Sequence, residues 1–174
     1  RIAILDCGKT QQFDTPDNLY EKPANLFVAN FMGNPPMNFI KARLEGNRIR
    51  IMDSYINIEM PLLPHEDGSD VKIGTRSHKM PFSLDRSEDA PIRMEVRNVE
   101  NLGKELLVYG RIGDDEIRVS VQDKSLYSEL RSRAGRKHSC YVGLGKSYNV
   151  FMTSDGNNIV DFKEVKNATA LGEP

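Results

Sequence analysis

Gly145-Lys146-Ser147 ends like a phosphate-cradling loop, in which backbone amides and a lysine hold a nucleotide's phosphates and a hydroxyl holds magnesium. The motif needs its first glycine at position 140, which is Cys140. It also needs a helix start after the loop, and Tyr148-Asn149-Val150-Phe151 is strand-like instead. No nucleotide loop is predicted. His65, His78 and His138 lie in separate loops without ligand spacing, so they predict no zinc site. Asp155-Gly156-Asn157-Asn158 opens like a calcium loop, but its twelfth position is Lys166, so a hairpin turn is expected. Cys7 and Cys140 are lone thiols that form no C-x-x-C pair, which fits a reducing cytoplasm. Asn167-Ala168-Thr169 matches a glycosylation sequon only by pattern. Arg131, Arg133, Arg136 and Lys137 read as a solvated helix end favoured by the helix dipole. The sequence therefore predicts no catalytic, metal or cofactor-binding residue.

The elements around these residues are more informative. Residues 23–39 read PANLFVANFMGNPPMNF, a short apolar helix with a hard stop. Asn25 caps its start, and Leu26, Phe27, Ala29, Phe31 and Met32 are expected to form its buried face. Gly33 suits the left-handed position past a helix end, and Pro35-Pro36 forbids continuation. Met32 and Met37 read as core filler. Upstream, an apolar strand from Arg1 to Leu5, a turn over Asp6–Lys9 and a return strand over Thr10–Phe13 predict a hairpin. Thr15 and Pro16 open a second helix. An isolated hairpin is marginal in water, so residues 1–13 are expected to pack against a second copy or the barrel, or else to be disordered.

After Phe39 the pattern alternates. Strands are predicted around Ile40–Leu44, Ile49–Ile51, Ile56–Ile58, Val71–Gly74, Ile92–Val99, Leu106–Ile112, Glu116–Val121, Ser139–Val142 and Asn149–Met152, with a further one at Ile159–Phe162. Met60–Asp70 and Met80–Pro91 read as loops, Leu126–Arg133 as a helix, and the tail from Asn167 as frayed. Short strands at this spacing predict a mainly β fold, a small barrel or sandwich.

Several of these residues, in this order, resemble the ATP-binding subunit of carbohydrate ABC importers of the maltose and multiple-sugar type. The family's G-K-hydrophobic-Q-Q hairpin, T-P-x-x-hydrophobic-Y helix and P-A-N-x-F-V-A segment are matched by Gly8, Lys9, Gln11, Gln12, Thr15, Pro16, Leu19, Tyr20, Pro23, Ala24, Asn25, Phe27, Val28 and Ala29. Met37-Asn38-Phe39 favours the sugar importers. The family's G-[IL]-R-P-E turn resembles Gly74-Thr75-Arg76-Ser77-His78, which keeps only the glycine and arginine. Val96–Glu105 and Asn149–Ile159 resemble later landmarks.

The resemblance implies an OB-like (MOP/TOBE-type) barrel preceded by a small α/β remnant of the ATPase domain. It divides the chain into the remnant (1–34), the regulatory β domain (35–166) and a tail (167–174). Pro35, Pro36, Met37, Asn38, Phe39, Gly74 and Arg76 would form the interdomain joint or interface. In the family the phosphate loop, magnesium-binding acidic residue, signature loop and switch histidine lie upstream of this segment. ATP and magnesium therefore belong to the parent subunit, and this chain is expected not to hydrolyse ATP alone. Implied partners are a second copy, the permease subunits through the parent ATPase, and a cytoplasmic regulator. The implied place is cytoplasmic, peripheral on the inner face of the plasma membrane.

Composition sets bounds beside this. Over 174 residues, 24 Lys and Arg face 25 Asp and Glu, a net charge of −1, and no basic stripe with interleaved aromatics predicts nucleic-acid binding. Apolar runs fall short of the ~20 residues that cross a bilayer. No signal-peptide pattern opens the chain. The competing reading is an OB-type module for a small ligand, oxyanion or nucleic acid, which sparse strand aromatics and balanced charge disfavour.

Overall fold

The computed structural model describes residues 1–134 and 139–162. β1 (Ile2–Asp6) and β2 (Lys9–Asp14) form the hairpin. Its two-residue turn places Cys7 at φ 46° and Gly8 at φ 77°, the left-handed pair that a tight hairpin requires. In α1 (Pro16–Glu21), Thr15 caps the start by accepting from the Asn18 amide, and Pro16 occupies the first turn. In α2 (Leu26–Phe31), Asn25 Oδ1 accepts from the Val28 amide at 3.0 Å. Gly33 follows that helix at φ 104°.

The buried face of α2 differs from the expected one. Val28 and Ala29 are fully buried, with Leu26 and Met32 partly so, whereas Phe27 and Phe31 are exposed and stack on each other at 6.3 Å. A six-residue helix turns fewer than twice, so it buries one narrow stripe, and small Ala29 allows the closest approach. The hairpin packs on these helices. Ile4 packs with Leu19, Val28 and Met32, so the two helices themselves carry it. Gln12 fastens it by donating to Lys22 O and accepting from the Ala24 amide.

The strands of the remaining described residues form two antiparallel five-stranded sheets. One contains β3 (Asn38–Glu45), β4 (Arg48–Ile51), β5 (Ser54–Asn57), β6 (Asp70–Thr75) and β12 (Asn149–Met152), in the order β12-β6-β3-β4-β5. The other contains β7 (Phe82–Ser83), β8 (Ile92–Asn101), β9 (Leu106–Ile112), β10 (Asp115–Val121) and β11 (Ser139–Val142), in the order β10-β9-β8-β11-β7. The fold is predominantly β, with an OB-like half-barrel and a small α/β region, as expected from the strand spacing.

Period-two alternation fills the core between the sheets: Ile40, Leu44, Ile49, Ile51 and Ile73 face Met94, Val96, Val108, Ile117 and Val119. β8 changes phase once. A register shift between Val96 and Asn98 leaves Arg97 and Asn98 both exposed and returns Val99 to the core. α3 (Tyr127–Arg133), entered through a 3-10 turn at Lys124–Leu126, seats Leu130 in that core. Within the segment expected to be a loop after Met80, β7 pairs with β11. Residues 159–162 make no strand, only the isolated bridge of Val160 with Leu62. His138, the 167–174 tail and most of the basic cluster after Arg133 lie outside the described residues.

The sheets are joined where β3 passes β10. The buried Asn38 side chain behaves like a peptide group there: Nδ2 donates to Arg118 O at 2.7 Å and Oδ1 accepts from Arg118 N at 2.9 Å. Lys41 N adds a bond to Asp115 Oδ2 at 2.8 Å. Replacing Asn38 by Ala strands both groups of Arg118, and we expect a loss of about 2 kcal/mol in urea unfolding. A Lys41→Ala control, which keeps its amide, should stay within about 0.5 kcal/mol of the parent.

Burial in the core pushes the Cys140 thiol from about 9 up to about 12, while Arg133 opposes the shift. The folded state thus favours the neutral thiol. Its contribution is complete below pH 9 and is lost as pH rises toward 12. Urea midpoints of the parent should therefore fall more steeply than those of Cys140→Ala between pH 9 and about 11. Identical slopes would contradict this.

Candidate functional site

Six-residue helices leave most of their backbone carbonyls without an internal partner, and α1 and α2 both end against the chain leaving β6. Arg76, the residue after β6, meets that need. Its Nη1 donates to Met32 O at 2.6 Å and Ala29 O at 3.4 Å, and its Nη2 donates to Tyr20 O at 2.7 Å. The guanidinium carbon lies 4.0 Å over the Tyr20 ring. The residue is 3% exposed, and its Nε–H has no protein acceptor. Burial lowers its pKa, with Tyr20 and Glu21 opposing, but a guanidinium starts so far above neutrality that it stays charged. A cation at two helix C-termini is also the favourable sign for the backbone dipoles.

Neighbouring residues extend this contact. Lys79 pairs with Glu21, and the His78 ring lies 6.4 Å from that of Tyr20, nearly parallel to it. A Cβ at Gly33 would sit 3.0 Å from both Arg76 Nη1 and the Tyr20 ring, so glycine is required for space as well as for its positive φ.

A second set of contacts fastens the segment between the helices. Asn149 Nδ2 donates to Glu21 O at 3.4 Å, and Asn158 Nδ2 donates to Pro23 O at 2.8 Å. The Asn158 amide donates to Ala24 O, and the Leu26 amide donates to Gly156 O, both at 2.9 Å. Asp155 shapes this turn by accepting from the backbone and side chain of Asn157, bonds that hold its carboxyl below the usual range. The residues that superficially suggested calcium thus form a turn that docks α2.

The third component is apolar. Ala29, Met37 and Phe151 are buried together, with Leu26 and Phe39 against them. Phe39 meets Phe151 edge to face at 5.8 Å. Gly74 makes room: a Cβ there would lie 2.5 Å from Met37 Sδ and 2.6 Å from Phe151 Cε2.

Of the residues singled out from sequence, Met37, Phe39, Gly74 and Arg76 therefore meet at one seam. Pro35 and Pro36 are half-buried at its edge, and Pro35 lines a cleft of about 290 Å³ together with Tyr20, Arg76 and His78. Asn38 turns away to join the sheets. Tyr20, Glu21, Lys79, Asn149, Phe151 and Asn158 belong to the seam but were not foreseen. Three consecutive buried residues in β12, Asn149 to Phe151, break strand alternation, and that break is the one local sign that β12 is covered on both faces. Gly145–Ser147 serves packing: Gly145 has φ +72°, and the Lys79 carbonyl would lie 2.2 Å from its Cβ. Among the described residues, no three His, Cys, Asp or Glu side chains gather as a metal site.

Half-barrel and small α/β region together define a predominantly β, TOBE-like protein. The chain is homologous to the C-terminal regulatory region of the ATP-binding subunits of sugar ABC importers. It is 35% identical over 118 residues to the sulfoquinovosyl glycerol transport ATP-binding protein SmoE of Agrobacterium fabrum, covering 66% of this chain and 32% of that protein. It is 30% identical over 180 residues to the diacetylchitobiose uptake system ATP-binding protein MsiK of Streptomyces coelicolor, covering 92% and 46%. The trehalose/maltose import ATP-binding protein MalK of Thermococcus litoralis is 35% identical over 129 residues, covering 65% and 33%. The chain thus spans less than half the length of these relatives. No family model matches it. A solved structure, the molybdate-bound cytoplasmic protein ModG, covers 65% of this chain and 94% of its own at 14% identity and a TM-score of 0.45, too loosely to bear on function.

Arg76→Met keeps bulk but strands the carbonyls of Tyr20 and Met32. We expect it to cost about 2–4 kcal/mol in urea unfolding, with faster amide exchange across residues 19–33. Arg76→Lys, which lacks the fork, should recover only part of the loss. Unchanged exchange in the methionine variant would count against the clamp.

Proposed function

We propose that this region acts through protein contacts as the regulatory and dimerisation part of the ATP-binding subunit of a sugar importer. Residues 1–34 and 35–166 are its two parts, and the seam of Pro35–Phe39, Gly74 and Arg76 passes movement between them. The observation that carries this reading is the Arg76 fork, which holds carbonyls from two helices at the end of one strand. Displacing α1 or α2 against β6 would leave a buried charge without partners, so the helices and the strand end move together. Homology to importer ATPase subunits supports the setting. Permease subunits and a cytoplasmic regulator are the partners, at the inner face of the membrane. A pair of copies would meet through a two-fold, self-complementary surface.

Sedimentation equilibrium tests the dimer. The chain should show a concentration-dependent monomer–dimer equilibrium in the range of about 1–100 μM. A strict monomer throughout that range would overturn dimerisation by this region.

A further inference from the structure

A depression of about 370 Å³ lies on the outer face of β8, β9 and β11, sharing no residue with the seam. Its floor follows from register. Glu95 sits opposite Arg111 on one side and Ser139 on the other, and Arg93 lies two residues along the same face of β8. The turn from β4 to β5 closes one side with Met52 and Asp53, and Ser54 is anchored there by donating to Pro91 O at 3.0 Å. Gly113 is at φ +59°, and a Cβ on it would lie 3.1 Å from Met52 Sδ, so this wall is closely packed.

One enclosed donor among the residues lining this depression is unmatched. Each guanidinium carries five N–H donors. Arg93 spends its Nε on Ser139 Oγ at 2.6 Å. Arg111 reaches the Asp114 carbonyl at 3.4 Å and its carboxylate at 3.5 Å, a side chain that is 88% exposed. The Arg111 Nε–H is enclosed and has no protein acceptor. Glu95 is held at 3.3 Å by Arg97, which does not line the depression. Two guanidinium groups thus share a concave site with the Asp53 and Glu95 carboxylates, and the orphaned enclosed Arg111 Nε–H calls for an explanation.

We propose that this depression binds a small phosphorylated metabolite. Phosphoryl oxygens accept from Arg93 and Arg111, because a tetrahedral group with several terminal oxygens can serve two forks from different strands. The ligand's hydroxyls meet Asp53, Ser54 and Ser139. The volume falls in the roughly 300–1,000 Å³ range of small-molecule sites, which favours an organic phosphate over the bare ion.

Two-dimensional NMR titration of the full chain with glucose 6-phosphate, inorganic phosphate and glucose tests this. Glucose 6-phosphate should shift the amides of Ile92, Glu95 and Ser139 saturably, inorganic phosphate should shift the same amides roughly tenfold more weakly, and glucose should leave them unmoved. Arg93→Gln and Arg111→Gln should each weaken glucose 6-phosphate by roughly tenfold or more, while Arg48→Gln on the other sheet should not. Arg93 is an exposed side chain, so its variant decides the matter even if the Arg111 variant fails to fold. No saturable shift with either phosphorylated probe up to about 10 mM overturns the site, as does binding retained in Arg93→Gln. Equal affinity for glucose overturns the phosphate recognition, and equal affinity for inorganic phosphate overturns the organic ligand.

Discussion

The arrangement of this protein depends on one buried cation. Arg76 is enclosed at the end of β6, and the partners it bonds are carbonyl oxygens, not carboxylates. A charge taken out of water is tolerated only where dipoles replace its hydration. Here the replacement comes from two helix ends that were themselves short of donors. Each side solves the other's problem, so neither the helices nor the strand end can settle without the other.

The remaining contacts are consistent with that constraint. Gly33 and Gly74 lack side chains where the guanidinium and the Phe151 ring need the space. Asn149 and Asn158 bond the backbone between the helices, and Asn38 continues the linkage by tying β3 to β10. A continuous path of bonded and packed groups thus runs from the helices through β6 and β3 into the second sheet. Its bonds are directed largely at backbone groups, so they depend on position more than on side-chain identity.

Much of the chain was legible locally. Thr15, Asn25 and Gly33 announce helix boundaries because capping and left-handed backbone are chemistry within a few residues. Strands with one buried face could be read from alternation, as in β8 until its bulge. Legibility failed where burial came from distant segments. Phe27 and Phe31 look like core residues by hydropathy, yet the narrow contact of α2 selects Val28 and Ala29. Ile159–Phe162 has strand composition, yet its neighbours offer only bridges.

The sequence by itself determined the mainly β class and the caps and turns. These follow from short-range backbone preferences and from patterns repeated every two residues. It could not show that Arg76 reaches Tyr20, 56 residues away, or that Asn158 reaches Pro23 across 135. An unpaired carbonyl leaves no mark in the sequence, because every residue carries one. Which carbonyls go unsatisfied, and which side chain answers them, is settled only when the helices and β6 come together in space.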